Sequence, residues 1–298
     1  MDVEYLRHQE IDYDAWQDCI DNSVNACLYS RTWFLDCVST DWRGLVLGDY
    51  EAVMPLFFSD GKLYLPDCME WLGIYSGKLP QKEVAKKFLQ FIANNFKYAD
   101  IRLDKFSGFF PPKKGRKKVQ YLYQFDTVKC LSDKLANMSA RIKNRILKFG
   151  EQGFRFTKAG EGVFVESFMR CNTNKSFKEI ETIGRIISES SKRKSCVSFF
   201  LDDINNLSCG IITVIFDGNY IFIPQLEAIG KYNTVDETIL MLFHILTYFE
   251  GAPLILVVDP QKIRISESIL QGMGAKKFGY LNYRKDKLSG IRDFFKLN

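Results

Sequence analysis

A two-residue turn signal, Asp60-Gly61, recurs as Asp217-Gly218, 157 positions later. Both sit between runs rich in β-forming residues, and glycine accepts the positive φ that a tight hairpin demands. Downstream, Glu70-x-x-Gly73-x-Tyr75 recurs as Glu227-x-x-Gly230-x-Tyr232 at the same offset of 157, and Asp104 matches Asp259 at an offset of 155. Between these landmarks lie the stretches 85–92 and 240–246, both spaced as helices. A repeat this long predicts two related domains and not a solenoid, whose units run about 20–50 residues. Coincidence within a generic α/β pattern is the alternative. The division expected is 1–118 and 119–298.

The periodicity fills in the elements. Two short helices come first, 15–21 and one capped by Ser30 that carries Trp33, Phe34, Cys37 and Val38. Strands are expected at 44–47, 52–58, 62–65 and 98–103. A helix opens at Pro80, with Val84, Phe88, Phe91 and Ile92 inward. Residues 108–118 combine two prolines with a run of Lys and Arg. They read as a solvated connection, with an anion or RNA contact as the functional alternative.

The second half begins with a strand at 119–125. One helix over 131–152 follows, with Leu135, Met138, Ile142, Ile146 and Phe149 as its apolar stripe and Lys134, Arg141, Arg145 and Lys148 as a basic one. Gly153 ends it. Ser176 with Glu179, and Thr234 with Glu237, form capping boxes for two further helices. Strands at 197–201, 210–216, 220–223 and 254–258, a helix at 266–271 and a strand at 276–283 complete the half.

Composition sets limits. Of 298 residues, 46% are apolar and 26% charged, enough for packed cores in about two domains. A net charge of +5 permits an anionic ligand but is too weak to argue for nucleic acid. The eight cysteines form no C-x-x-C pair, and with two histidines they assemble no zinc spacing. No metal is expected, and free thiols fit a reducing compartment. The acidic start lacks an apolar leader, and the apolar stretch 239–249 is too short to span a bilayer. The expectation is a soluble cytoplasmic protein with no membrane partner, monomer or dimer.

A strand, two helices, a meander of strands, helix, strand, helix, strand is the order of the GNAT acyltransferase fold. The duplicated form resembles the Fem-type aminoacyltransferases. The segment Met138-Ser-Ala-Arg-Ile-Lys-Asn-Arg-Ile-Leu-Lys-Phe-Gly-Glu-Gln-Gly153 resembles the basic helix that opens the second module of that family. Gly272-Met-Gly-Ala275 resembles its Gly-Ala segment before the last strand. Tyr13-Asp-Ala-Trp-Gln-Asp-Cys-Ile20 and Tyr29-Ser-Arg-Thr-Trp-Phe-Leu-Asp36 are similar to bacterial members with no assigned activity. The resemblance covers nearly the whole chain. It implies an α/β (α+β) protein of two GNAT-like modules, each a mixed, mostly antiparallel sheet flanked by helices.

The resemblance also implies a donor, acyl-CoA or aminoacyl-tRNA, and an amine or nucleotide-linked substrate. GNAT enzymes hold the CoA pyrophosphate on a glycine loop at a helix start. The equivalent here, Glu227-Ala-Ile-Gly230-Lys-Tyr232, keeps one glycine and lacks the second. Gly230, Lys231 and Tyr232 are the candidate cofactor-binding residues.

Transfer of an acyl group to an amine needs a base, a proton for the leaving group and donors for the oxyanion. Glu227, where the fourth strand of the second module should end, is the candidate base, with a surface or capping carboxylate as the alternative. Tyr280 and Tyr283 on the last strand are candidate proton donors, or core fillers. Arg141, Arg145 and Lys148 are candidates to hold phosphates or tRNA, or form a solvated face. His244, inside an apolar helix, reads as a core histidine. The functional expectation is an acyl- or aminoacyltransferase acting on an amine. The alternative is a catalytically degenerate tandem module that binds a small molecule or partner.

Overall fold

Asp60 and Gly61 both hold positive φ, 51° and 73°, the paired conformation of a two-residue hairpin turn. At the second signal Gly218 holds φ 56°. The computed structural model of the chain describes residues 2–77, 82–105, 115–160, 176–228 and 234–286. Pro80, the 108–114 part of the basic connection, and Gly230, Lys231 and Tyr232 lie outside them; residues 116–118 of that connection are strand and not loop.

In chain order the elements are β1 (Val3–Leu6), α1 (Tyr13–Asp21), α2 (Thr32–Val38), β2 (Arg43–Leu47), β3 (Ala52–Ser59), β4 (Lys62–Tyr64), β5 (Tyr75–Ser76), α3 (Lys82–Asn95) and β6 (Ala99–Leu103). Then come β7 (Arg116–Asp126), α4 (Leu131–Asn137), α5 (Ala140–Glu151), β8 (Arg155–Lys158), α6 (Phe177–Lys192), β9 (Cys196–Asp202), β10 (Ser208–Asp217) and β11 (Tyr220–Ala228). The chain closes with α7 (Thr234–Tyr248), β12 (Ile255–Val258), α8 (Glu267–Gly272) and β13 (Lys276–Lys285).

Two compact units result, Met1–Tyr121 with Gly279–Asn298, and Leu122–Phe278. In the first, the strand order is β1-β2-β3-β4-β6-β13, with β5 on β3. All pairs are antiparallel except β4 with β6. In the second, the order is β8-β9-β10-β11-β12-β7, again antiparallel except for β11 with β12. Within each unit the strands therefore follow the same order of pairing.

The plan departs from the expected division at 118/119, which falls inside β7. The last strand, assigned by sequence to the second half, joins the first unit: Leu281 pairs with Leu103 and Tyr283 with Ile101. β6 is only five residues long and would otherwise present an unpaired edge. Pairing with β13 covers it and buries Tyr280 and Tyr283.

Local chemistry sets most element ends. The Asp12 carboxylate caps α1 by accepting from the Asp14 and Ala15 amides. That helix buries Trp16, whose indole N–H donates to the Ser30 carbonyl at 3.0 Å. Ser30 is not the expected cap of α2. It lies in a 3-10 turn, its hydroxyl donating to the Cys27 carbonyl at 2.6 Å. The Ser176–Glu179 capping box forms as expected. At Thr234 the chain is already helical, and residue 233 lies outside the described residues.

The expected single helix at 131–152 is two. Met138 is extended (ψ 147°), and Ser139 caps α5 through Ile142. The Ser139 amide is taken by the Gly272 carbonyl at 2.8 Å, so a long-range bond replaces a helical one. Lys134 leaves the expected basic stripe. It is buried, its ammonium donating to the carbonyls of Thr127 (3.1 Å) and Leu246 (2.9 Å), the latter near the C-terminus of α7.

In the second unit α5 and α7 cover one face of the sheet through Ile142, Ile146, Met241 and Ile245, packed on Phe199, Ile212 and Val214. Helix α6 packs on β9 and β11, with Ile183 and Ile187 against Cys196. Among the described residues, no helix is long and apolar enough to cross a membrane.

Candidate active site

Strands β11 and β12 run parallel but pair only at Tyr220–Ile255 and Ile221–Leu256. Beyond that point β12 continues against β7, with Val257 opposite Gln124 and Val258 opposite Tyr123. β11 keeps to β10 as far as Ala228, opposite Gly210. From Phe222 onward, among the described residues, β11 has a strand neighbour on one side alone. A break in register between Thr213 and Ile215 of β10 adds local twist, which helps part the strands. The result is a wedge in which, among the described residues, one edge of β11 past Ile221 has no strand neighbour.

Side chains on this wall alternate. Glu227 lies opposite Ile211, and Gln225 opposite Thr213. Two residues apart, they share a face, with α-carbons about 7 Å from each other. Glu227 is half-buried, and Gln225 is 1% exposed. Leu226 and Ala228 point to the opposite face, where Gly210 lets β10 approach α7: a β-carbon there would sit 3.1 Å from the Met241 sulfur and 3.0 Å from the Glu227 carbonyl oxygen.

A polar ladder crosses the apolar sheet at this level. The Ser198 and Thr213 hydroxyls are 2.8 Å apart, and the Thr213 hydroxyl donates to Gln225 Oε1 at 3.3 Å. Each partner faces the next across a paired register position. Gln225 Nε2 is buried without a hydrogen-bond partner. Sequence reading missed these three residues. The available signal was a lone Thr in Gly-Ile-Ile-Thr-Val-Ile-Phe and a lone Gln in Tyr-Ile-Phe-Ile-Pro-Gln-Leu.

The remaining candidates scatter. Arg145 is ion-paired with Asp236 in the first turn of α7, while Arg141 and Lys148 are exposed on α5. Tyr280 and Tyr283 stand in the first unit, and their spacing of three on a strand sends them to opposite faces. Tyr280 stacks on Trp71 with ring centres 5.2 Å apart. The Tyr283 hydroxyl is buried with no partner, and burial pushes its pKa up to about 12. Neither tyrosine shares a unit with Glu227. His244 stacks on Phe156 at 3.9 Å, and desolvation lowers its pKa to about 4, so the ring is a neutral packing element at pH 7. Among the described residues no cluster of three His, Cys, Asp or Glu is placed to hold a metal.

No family model and no curated protein matches the chain. Solved structures do. L-PGS from Bacillus licheniformis aligns with TM-score 0.59 at 11% identity over 94% of each chain. FemX aligns with TM-score 0.58 at 12% identity over 100% of this chain and 99% of its own. A conserved protein of unknown function from Bacteroides thetaiotaomicron aligns with TM-score 0.58 at 11% identity, covering 92% of this chain and 98% of that one. At these identities the likeness establishes the fold alone, which is that of FemX and L-PGS and agrees with the Fem-type resemblance of the sequence.

Proposed function

We propose that the second unit is an acyltransferase that moves an acyl or aminoacyl group onto an amine, with Glu227 as the base. The observation that carries this is the wedge: β11 outruns its parallel neighbour and carries a half-buried carboxylate on the stretch past their pairing. An open strand edge can pair with the amide groups of an extended ligand, and a carboxylate beside it can take a proton from an incoming ammonium.

The steps balance as follows. Glu227 removes one proton from the ammonium, freeing the nitrogen lone pair. That pair forms the C–N bond to the acyl carbon, and the carbonyl electrons move onto oxygen. Collapse re-forms the carbonyl and breaks the C–O or C–S bond to the carrier. The second nitrogen proton leaves with the carrier oxygen or sulfur, and Glu227 returns the first to solvent.

Helix α7 bears on the donor. A helix start attracts anions, but Asp236 and Glu237 stand in its first turn and are buried, and Arg145 is engaged by Asp236. Two carboxylates there disfavour a pyrophosphate. This supports an ester-linked aminoacyl donor over acyl-CoA. The first unit serves in this reading as a scaffold of the same ancestry.

The test is a thermal-shift screen with acetyl-CoA, CoA and aminoacyl-tRNA, followed by transfer of labelled acyl group to amines. Saturating donor should raise the melting temperature. Glu227→Gln should cut turnover by about 10²–10⁴-fold while melting as the wild type does. Unchanged turnover would remove Glu227 as the base, and no shift or transfer with any donor would remove the transferase reading.

A further inference from the structure

From the orphaned amide at Gln225 we infer that this side chain is the hydrogen-bond donor to the acyl carbonyl oxygen in the second unit. The inference rests on the transferase reading above and adds a residue to it.

A buried amide end without a partner costs stability and calls for an explanation, because nearly all such groups in folded proteins are paired. Gln225 is 1% exposed, and its Nε2 has no partner. The ladder behind it is complete. Ser198 meets Thr213 at 2.8 Å, and Thr213 meets Gln225 Oε1 at 3.3 Å. With the Thr213 hydroxyl donating to Oε1, the end left over is the N–H donor. The strand-to-strand register sets Thr213 opposite Gln225, and the Thr213 hydroxyl tethers the oxygen end of the amide.

Position gives the free end a use. Gln225 sits on the part of β11 that lies past its pairing with β12, on the same face as Glu227. A fixed N–H donor and a carboxylate about 7 Å apart along the strand match what the reaction needs at two adjacent atoms. The donor meets the oxygen that gains charge, and the base meets the nitrogen that loses a proton. A pre-set donor aimed at a developing oxyanion acts only on the transition state, which compensates for a cost paid in the ligand-free fold.

Gln225→Met tests this in the full chain, because Met fills similar volume and carries no amide. Two readouts are needed. Without ligand, the variant should melt at least as high as wild type, by up to about 2–4 °C above it, since an unpaired buried group is gone. With alanyl-tRNA or acetyl-CoA as donor, kcat should fall about 10²–10³-fold, with the donor-induced thermal shift retained. A variant that melts lower than wild type and loses activity would make Gln225 a structural residue and overturn the inference. So would unchanged kcat. If wild type transfers from neither donor, the transferase reading fails together with this one; if wild type is active and Gln225→Met equals it, this inference alone fails.

Discussion

In the first unit β4 stops at Tyr64, but the chain from Leu65 to Leu72 goes on bonding to β6. The Leu65 amide donates to Asp100 (3.1 Å), the Leu72 amide to Arg102 (2.8 Å), and the Asp104 amide back to Leu72 (2.9 Å). Leu72 is fully buried and bridges Leu103, while Glu70 is ion-paired with Arg102 at 3.4 Å. Asn25 fastens the end of the segment through the Ile74 carbonyl at 2.8 Å. In the second unit the corresponding strand, β11, instead leaves its parallel partner after Ile221. The same strand order thus yields one seam laced by its own chain and one in which, among the described residues, strand pairing ends at Ile221. Glu70 and Glu227 match in sequence, yet the first is held in an ion pair in a loop and the second stands on a strand at the opening. The strand order is shared by both units, and the chemistry proposed above is assigned to the one in which the parallel pair stops short.

Leu72→Ala is the strongest challenge to this contrast. It should cost about 2–5 kcal/mol in chemical denaturation, because a buried side chain is cut from the laced seam. Its donor-induced thermal shift should match wild type. A variant as stable as wild type would show that the segment is not a filler.

A smaller effect marks the second unit through His244. Its folded pKa is about 4 against an ordinary 6.5, because burial penalises the charged ring. The unfolded chain therefore binds a proton as pH falls through about 6.5, while the folded chain does so only near 4. Stability is full above about 6.5 and declines between these values, by no more than about 2 kcal/mol after allowing for the ring's partial exposure. His244→Phe should flatten that slope in denaturation midpoints measured from pH 7 to pH 4. An unaltered slope would mean that the ring titrates as if in water.

The smallest change sharpens the comparison of orphan groups. Tyr283 in the first unit carries a buried hydroxyl with no partner, packed beside Gly115, where a β-carbon would meet its ring at 2.6 Å. Tyr283→Phe should gain about 1 kcal/mol and leave acyl transfer as it was. A loss of transfer would restore Tyr283 as a proton donor.

Little of the candidate site follows from local pattern. The apolar run 220–223 marks a strand, but Pro224 masks its continuation, and Glu227 was placed at the strand end by the fold the resemblance implies; in the structure β11 runs to Ala228. Gln225 was hidden because one polar residue in an apolar strand reads as facing water. Only its register against Thr213 shows that it faces a second polar group inside the sheet. Arg145 and Lys134 were misread for a related reason: helix periodicity groups basic residues on a stripe but does not show what packs against that stripe. One meets Asp236 and the other two carbonyls.

By itself the sequence determined what short-range bonding controls: both hairpin turns, the Ser176 capping box, the stop at Gly153 and the alternation of β9. These depend on φ preferences and on partners within four residues, which are present whatever the rest of the chain does. Tertiary structure decided the rest. It split the 131–152 helix by giving the Ser139 amide to Gly272, sent β13 to the edge of β6, and laced the Leu65–Leu72 segment onto β6. Those outcomes are competitions between partners thirty or more residues apart, and the winner is set by which edge or donor would otherwise stay unpaired.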